Sequence, residues 1–374
     1  MGTLSRELAD FAKAREYPFL VVRGGDRTEF STDGSLETLE LKRGMASFPV
    51  DKTLYFDPLL MRHKQLVTEQ LQRFKPDLVH LTGPGDIGFL AVRVAHELKM
   101  ASVASWHTNV HEYLARRLQP MLNLLTSGLC RKAARTIEQQ TLRGLLRFYR
   151  SARFTLAPNQ EMVDILHAST RRPAYLMLHG VDLRRYQPPT AEEASAAQGR
   201  PFCIGYVGRL TTEKNVRVLA EIEQTLIAAG ETNFRFLIVG EGGQEGWLRS
   251  HMHRAEIAGV LRGDDLAAAY QRMDVFVFPS LTDTFGLVIL EAMASGVPVI
   301  VRPEAGKRVG VEDGVSGFFS EDFAADVRRL MSDGCLRKKM GVAAHAFANT
   351  QGWDMVFSDL YRVYAAGLRT LESR

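Results

Sequence analysis

Short apolar runs alternate with amphipathic helical patterns along most of the chain, and this alternation constrains the fold more than any other feature. In the first half, the runs at residues 77–82, 101–106 and 154–157 are typical of buried strands, and helical patterns separate them. Strand–helix alternation predicts a mostly parallel sheet with helices on both faces. Ligands in such folds bind at the carboxyl ends of the strands.

The alternation stops at residues 187–200 and then restarts. This stretch, QPPTAEEASAAQGR, is rich in proline, alanine and charge, as is typical of a linker. A length of 374 residues also exceeds one ordinary core. The sequence therefore predicts an α/β protein with one doubly wound domain at 1–186, the linker, a second doubly wound domain at 201–350 and a C-terminal helix within 351–374.

Composition argues against several classes of protein. A net charge of only +4 gives no general case for nucleic-acid binding. No apolar run approaches the length of a membrane span, and the N-terminus lacks the pattern of a signal peptide. Cys130, Cys203 and Cys335 lie far apart and offer neither a disulfide framework nor zinc spacing. We therefore expect a cytoplasmic protein.

The stretch 276–296, FVFPSLTDTFGLVILEAMASG, combines an apolar strand, a polar turn and a helix that starts near Gly286. The N–H groups at such a helix start favour an anion. Asp283 lies in the turn, and Glu291 is expected about two turns into the helix, where an unpaired buried carboxylate would be costly. Two carboxylates beside an anion site suit a ligand with hydroxyls and phosphates. A capping role for Asp283 and a packing role for Gly286 remain the alternatives.

Two cations follow the first strand of the second domain, at residues 202–207. Arg209 and Lys214 should lie at the same end of the sheet as the helix start, and together these features suit a diphosphate. A surface ion pair between Glu213 and Lys214 is the alternative. Glycine turns add backbone N–H groups at Gly240, Gly242 and Gly243, and Gly208 is expected in the same cleft. Because no Asp-x-Asp occurs, we expect no metal ion to share the charge.

Histidines and arginines in the first half carry two further hypotheses. His107 follows the strand at 101–106 and should face the ligand cleft, although a loop histidine bonded to backbone is equally compatible. His80, on a strand of buried type, is interpreted as a core histidine with satisfied hydrogen bonds. The basic region at 113–153 suits either an anionic membrane surface or ordinary covering helices with solvated arginines.

Four motifs in the second half occur in a characteristic order: GYVGRLTTEKNV, VGEGG, GVLRGDDLAAAYQRMDVFVFPS and TDTFGLVILEAMASGVPVI. Together they resemble the large retaining glycosyltransferase family of GT-B fold (glycosyltransferase family 4-like, group 1), which uses nucleotide-sugar donors. The resemblance covers roughly residues 75–365. The TDTFG form is most similar to the branch that glycosylates lipids.

This resemblance implies roles for the residues singled out above. Arg209 and Lys214 would hold the donor diphosphate, and Glu291 would bond the ribose hydroxyls. His107 and Asp283 would lie beside the transferred sugar. Backbone contacts to phosphate and sugar would come from Phe285, Gly286, Leu287 and Val288.

The same resemblance implies a reaction and an architecture. A hexosyl group would pass from a UDP- or GDP-sugar to a hydroxyl acceptor, a lipid or a small molecule, with retention of configuration and without a metal ion. Two Rossmann-like domains would face a cleft, and the C-terminal helix would cross back to the first domain. A peripheral position on the inner face of the membrane is also expected.

Three departures from the family pattern bear on whether the chain is active. Asp283 stands where the family usually has glutamate, and Lys307 stands where it has proline. The chain opens with a helix and a strand at 18–22, so the usual first strand and glycine loop are missing, which predicts a gap in the first sheet. The alternatives are an inactive or impaired nucleotide-binding relative and a nucleotide-sugar epimerase of the same fold.

Overall fold

A computed structural model describes residues 3–45, 47–51, 54–106, 140, 143–196, 199–280 and 285–369. Contacts divide the chain into two compact units, Met1–Leu178 with Val356–Arg374, and His179–Met355. The residues predicted as a linker, 187–200, belong to the second unit. His107, Asp283, Cys130 and most of the basic region lie outside the described residues, whereas Cys203 and Cys335 are free thiols.

The strands of the first unit form separate sheets in the described residues. The strands are β1 Phe19–Gly25, β2 Glu29–Asp33, β3 Leu36–Lys42, β4 Phe48–Asp51, β5 Leu54–Phe56, β6 Val79–Leu81, β7 Ser102–Ser105, β8 Phe154–Ala157 and β9 Ala174–Leu176. The orders are β1-β3-β2, β4-β5 and β6-β7-β8-β9. The last sheet is parallel, and all four residues of β7 and of β8 are buried. Its near-continuous apolar strands are those that the sequence predicts.

One helix connects the two larger sheets of this unit. Its α-helices include α1 Thr3–Ala14, α2 Lys64–Phe74, α3 Asp86–Glu97 and α4 Gln160–Thr170. Helix α3 packs against both β1 and β6, yet these two strands belong to different sheets. The separation agrees with the gap that the sequence predicts. The hairpin strand β2 was not predicted because all its residues are exposed and give no apolar pattern.

The C-terminal helix, Trp353–Arg369, extends from the second unit into the first. In the first unit the ring of Phe357 lies 5.4 Å from that of Phe11. The Tyr364 hydroxyl lies 2.6 Å from Nδ1 of His80, whose Nε2 lies 2.7 Å from Ser105 Oγ. Both ring nitrogens of His80 therefore have hydrogen-bond partners, as the sequence predicts, but the residue is half-buried and not a fully buried core histidine.

The second unit contains one continuous parallel sheet. Its strands are β10 Phe202–Val207, β11 Phe234–Val239, β12 Ala255–Gly259, β13 Val275–Phe278, β14 Val299–Val301 and β15 Gly317–Phe319, in the order β12-β11-β10-β13-β14-β15. Its helices are α5 Ala191–Ala196, α6 Val218–Ala228, α7 Glu245–His251, α8 Gly263–Gln271, α9 Leu287–Ala294, α10 Pro303–Val309, α11 Phe323–Ser332 and α12 Gly334–Asn349. The winding direction reverses between β10 and β13, so a crevice for a ligand is expected at their carboxyl ends.

Among the helices of the described residues, none has both the length and the hydropathy needed to cross a membrane.

Candidate functional site

The two central strands of the second unit deliver most of the predicted site residues to one edge of the sheet. Strand β10 pairs with β13 in parallel, with Gly205 opposite Phe276. Arg209 and Lys214 follow the carboxyl end of β10, and the segment from Phe285 onwards follows that of β13. Because parallel neighbours end at the same edge, these segments share the crevice at the reversal point.

Aromatic side chains help to position the two cations at this edge. The Lys214 Nζ lies 5.7 Å from the centroid of the Phe278 ring, at the last residue of β13. The Tyr206 ring stacks on Phe278, with 6.5 Å between centroids, and its hydroxyl donates to the Arg209 carbonyl oxygen at 3.0 Å. The half-exposed Arg209 side chain lies 3.7 Å from Glu213. Glu213 thus approaches Arg209, whereas the sequence suggested a pair with Lys214.

The glycines after β10 and β11 allow two loops to pack backbone against backbone. A Cβ atom on Gly240, at φ +137°, would lie 1.9 Å from the Gly208 carbonyl oxygen, and one on Gly242 would lie 2.3 Å from that of Leu210. The Gly240 N–H donates to Gly259 at 2.7 Å, and the Gly208 N–H donates to Val239 at 3.0 Å. The N–H groups of Gly208 and Gly240 therefore bond to the backbone in this structure, and they are not offered to a ligand.

Helix α9 begins as expected, directly after a glycine. Gly286 is its N-terminal cap with φ +81° and ψ 56°, a left-handed conformation that favours glycine. The Ile289 N–H donates to the Gly286 carbonyl at 2.9 Å. The N–H groups of Leu287 and Val288 lie in the first turn, where an α-helix offers donors to an anion. This helix start is therefore suited to a phosphate or a sugar hydroxyl.

His179, which belongs to none of the sequence motifs, supports this helix start. The buried Phe285 ring stacks on the buried ring of His179, with 4.8 Å between centroids and an interplanar angle of 27°. Phe285 directly precedes the Gly286 cap. The stacking therefore fixes the direction in which the chain enters α9.

Glu291 is the fifth residue of α9, which places it nearer the helix start than the two turns expected from the sequence. Its Oε2 accepts a hydrogen bond of 2.8 Å from the Tyr270 hydroxyl, and Tyr186 also bonds its carboxyl group. The Tyr186 and Tyr270 rings meet edge to face at 5.7 Å. Burial raises the pKa of Glu291 to about 7, although both tyrosine hydrogen bonds oppose the rise. Burial therefore favours the protonated form of this carboxyl group more than in an exposed glutamate.

Neither tyrosine partner of Glu291 could be recognised in the sequence. Tyr270 occupies a core position of the amphipathic helix α8 and is fully buried. Tyr186 lies at the edge of the stretch predicted as a linker. Their convergence on Glu291 depends on how α8 and α9 pack, so a local pattern carries no signal for it.

Two predicted catalytic residues, His107 and Asp283, lie outside the described residues, and their roles stay predictions. The expectation that no metal ion takes part also stays a prediction. In the described part of the chain, no group of three or more histidine, cysteine, aspartate or glutamate side chains could hold a metal ion.

Comparison with known proteins identifies the family. A family profile described as glycosyl transferases group 1 matches residues 201–333, and one described as Glycosyltransferase Family 4 matches residues 1–185. A GDP-mannose-dependent alpha-mannosyltransferase of Mycolicibacterium smegmatis is 32% identical over 317 residues, which cover 81% of this chain and 77% of the relative. One of the same description from Corynebacterium glutamicum is 29% identical over 311 residues, covering 80% and 70%.

A solved structure supports the same assignment of fold. Sucrose-phosphate synthase from Thermosynechococcus elongatus aligns with a TM-score of 0.69 and 19% identity, over 97% of this chain and 93% of that chain. The fold is the GT-B architecture, in which both domains are Rossmann-like. The chain belongs to the group 1 glycosyltransferases, and it is a transferase enzyme.

Proposed function

We propose that this chain transfers a hexosyl group from a nucleotide sugar to a hydroxyl acceptor with retention of configuration. The main support is that three features lie around the carboxyl ends of β10 and β13. They are Lys214, the start of α9 and Glu291 with its tyrosine partners. This arrangement supplies positive charge and N–H donors for a diphosphate, and a carboxylate for ribose hydroxyls. GDP-mannose is the first donor to test, because two relatives are GDP-mannose-dependent mannosyltransferases.

In the proposed reaction, the bond between the sugar C1 and the diphosphate oxygen breaks, and a bond from C1 to the acceptor oxygen forms on the same face. The proton of the acceptor hydroxyl passes to the departing diphosphate oxygen. Negative charge grows on the leaving diphosphate, where Arg209, Lys214 and the N–H groups that open α9 would stabilise it. No metal ion is needed in this scheme. His107 and Asp283 would contact the transferred sugar, and the acceptor would be a lipid or a small molecule.

Location is part of the proposal. The chain would act in the cytoplasm, and its basic region at 113–153 would contact the anionic inner face of the membrane. Binding to anionic vesicles at low ionic strength, weakened by added salt, is the expected behaviour. Equal binding to neutral vesicles would contradict this part of the proposal.

The decisive experiment replaces Glu291 and measures transfer from GDP-mannose and from UDP-glucose to lipid and soluble acceptors. Glu291→Ala should lower kcat/KM about 100-fold, because ribose hydroxyls would lose a charged hydrogen-bond partner. Glu221→Gln, an exposed glutamate on α6, is the control and should leave kcat/KM within about twofold. Circular dichroism checks that both variants fold.

Other outcomes distinguish the alternatives. Unchanged turnover by Glu291→Ala would contradict the donor site proposed here. Nucleotide binding by the wild type without transfer to any acceptor would favour an impaired relative. Conversion of the donor sugar in the absence of an acceptor would favour an epimerase.

A further inference from the structure

A cavity of about 310 Å³ lies at the carboxyl ends of β1 and β3 in the first unit. The residues that line it include four basic ones, Lys42, Arg43, Arg62 and His63. None of its lining residues in the described part of the chain is acidic. The carboxyl ends of parallel strands are the usual ligand end of a doubly wound sheet. Position and charge together make this cavity a candidate ligand site within the first unit.

Two buried carboxylates hold the arginines of this wall in place. Asp86, the first residue of α3, pairs with Arg43 at 3.3 Å. Asp57 has no exposed side-chain surface and pairs with Arg62 at 2.9 Å. The Asp57 N–H donates to Asp86 Oδ2 at 3.0 Å, which joins the two pairs. Both guanidinium groups are therefore fixed from behind, with the carboxylates away from the cavity lining.

Asp57 also fixes the backbone around the cavity. Its carboxylate accepts hydrogen bonds from the N–H of Gly44 at 2.7 Å and from that of Leu59 at 2.9 Å. Burial acts to raise the pKa of Asp57, but these bonds and Arg62 outweigh burial and lower the pKa overall. Asp57 is therefore an anion at neutral pH, and the cavity wall is pre-formed without a ligand.

The balance of charge and donors suits an anionic group. The two aspartates cancel the charges of the two arginines, and Lys42 adds one positive charge. Arg62 uses three of its five N–H donors for Asp57, the Leu59 carbonyl and the Lys42 carbonyl. Its planar group thus keeps donor capacity of the kind that binds phosphate oxygens. Nothing acidic in the described lining would oppose such a ligand.

We propose that this cavity binds the phosphate group of a small phosphate ester. Its volume exceeds the need of an inorganic phosphate alone and falls at the lower end of the range for small-ligand sites. Met45 at the rim is fully exposed, and Leu59 nearby is largely exposed. The phosphate can therefore come from a soluble ester or from a lipid headgroup presented at a surface. Phosphate binding in this cavity does not depend on the proposed transfer reaction.

The test titrates the full chain with glycerol 3-phosphate and follows the ¹³C-labelled Met45 methyl signal, assigned with Met45→Ala. Saturable movement of this signal is expected. Lys42→Glu should weaken the affinity about tenfold or more. The two aspartates already balance the two arginines, so this change replaces the remaining positive charge with a negative one. Arg62→Lys, which keeps the charge and loses the planar donor group, should weaken it about threefold. Lys338→Glu, an exposed lysine of α12, matches the charge change of the first variant and should have no effect beyond about twofold.

A second arm separates the two sources of phosphate. Binding to phosphatidylglycerol vesicles but not to glycerol 3-phosphate, with the same response to Lys42→Glu, would support a lipid headgroup. Binding of glycerol 3-phosphate in solution would support a soluble ester. The proposal is overturned if neither probe binds. It is also overturned if Lys42→Glu and Lys338→Glu weaken binding equally, because that result would indicate general electrostatic attraction.

Discussion

Each unit has a candidate site at the carboxyl ends of parallel strands, but different interactions hold the two sites together. In the second unit, the loops after β10 and β11 meet through backbone atoms, and glycines such as Gly240 make the approach possible. In the first unit, the loop at Gly44 and the turn at Leu59 are joined through the buried carboxylate of Asp57. One site is built by close packing and the other by charge.

This difference has consequences for how each site responds to its environment. Backbone contacts contain no titrating group, so the packed loops should tolerate a change of pH and be sensitive to added volume. Charged contacts depend on ionised aspartates, so the cavity of the first unit should respond to acid and to the loss of a single charge. The donor site adds one titrating group of its own, Glu291.

Added volume in the packed loops should have the largest effect. Gly240→Ala places a Cβ atom 1.9 Å from the Gly208 carbonyl oxygen, at a φ that other residues rarely adopt, so we expect about 3 kcal/mol or more of destabilisation. Hydrogen exchange of β10 and β11, read by mass spectrometry, measures the loss locally. Gly246→Ala, in α7, is the matched control, because a Cβ atom added there would meet no other atom within 4 Å. Equal hydrogen exchange of β10 and β11 in the two variants would contradict close packing of the loops as the source of the destabilisation.

Loss of the buried charge in the first unit should have an intermediate effect. Asp57→Asn removes the anion that accepts bonds from Gly44 and Arg62, and we expect about 2 kcal/mol of destabilisation. Exchange should rise in β3 and at residues 57–63, and stay unchanged in the second unit. Asp359→Asn, on the exposed pair with Arg362, should change stability by less than about 0.5 kcal/mol.

The sign of the pH dependence follows from the lowered pKa of Asp57. The native state binds the proton less readily than the unfolded chain, so the stabilisation is present above the usual aspartate pKa of about 4 and is lost as pH falls below it. Acid should therefore raise exchange in the first unit of the wild type and have less effect in Asp57→Asn. The same acid response in both proteins would contradict the role given to this carboxylate.

The smallest expected effect is a change of GDP affinity with pH, which depends on Glu291. The pKa of Glu291 is raised to about 7. An ionised carboxylate accepts ribose hydroxyls better, so affinity for GDP should rise between about pH 6 and 8 with release of a proton. Tyr270→Phe removes a bond that favours the ionised form, and it should shift the midpoint upward by about one unit. Calorimetry in buffers of different ionisation enthalpy measures the proton release.

Tyr364→Phe is the control for this shift, because it removes another buried tyrosine hydroxyl, the one that bonds His80 in the first unit. It should leave the midpoint unchanged. An affinity for GDP that is constant across this pH range would contradict the contact between Glu291 and ribose.

The stability of the second unit has the opposite pH dependence from GDP affinity. Glu291 keeps its proton to a higher pH in the native state than in the unfolded chain. The second unit should therefore lose stability as pH rises from about 4.5 to 7.

The parts of the site that the sequence predicted share a physical origin. Strand β13 and helix α9 were predicted because a run of buried apolar residues followed by a turn and a glycine has one common solution in an α/β fold. Lys214 was placed correctly at the carboxyl end of the sheet because parallel neighbouring strands end at one edge. The prediction that Glu291 faces a ligand is still untested, although the cost of its burial was anticipated and is offset in part by tyrosine hydrogen bonds.

The sequence by itself determined the two strand–helix series, the glycine that opens α9 and the family, because these depend on local periodicity and on motif order. Only the tertiary structure decided that Tyr270 and Tyr186 would meet Glu291, and that Asp57 and Asp86 would join the two arginines. Those contacts connect residues that are 21 or more positions apart, except for Asp57 and Arg62, which are five positions apart. Packing of elements creates them, and no local pattern of residues records which side chains packing will bring together.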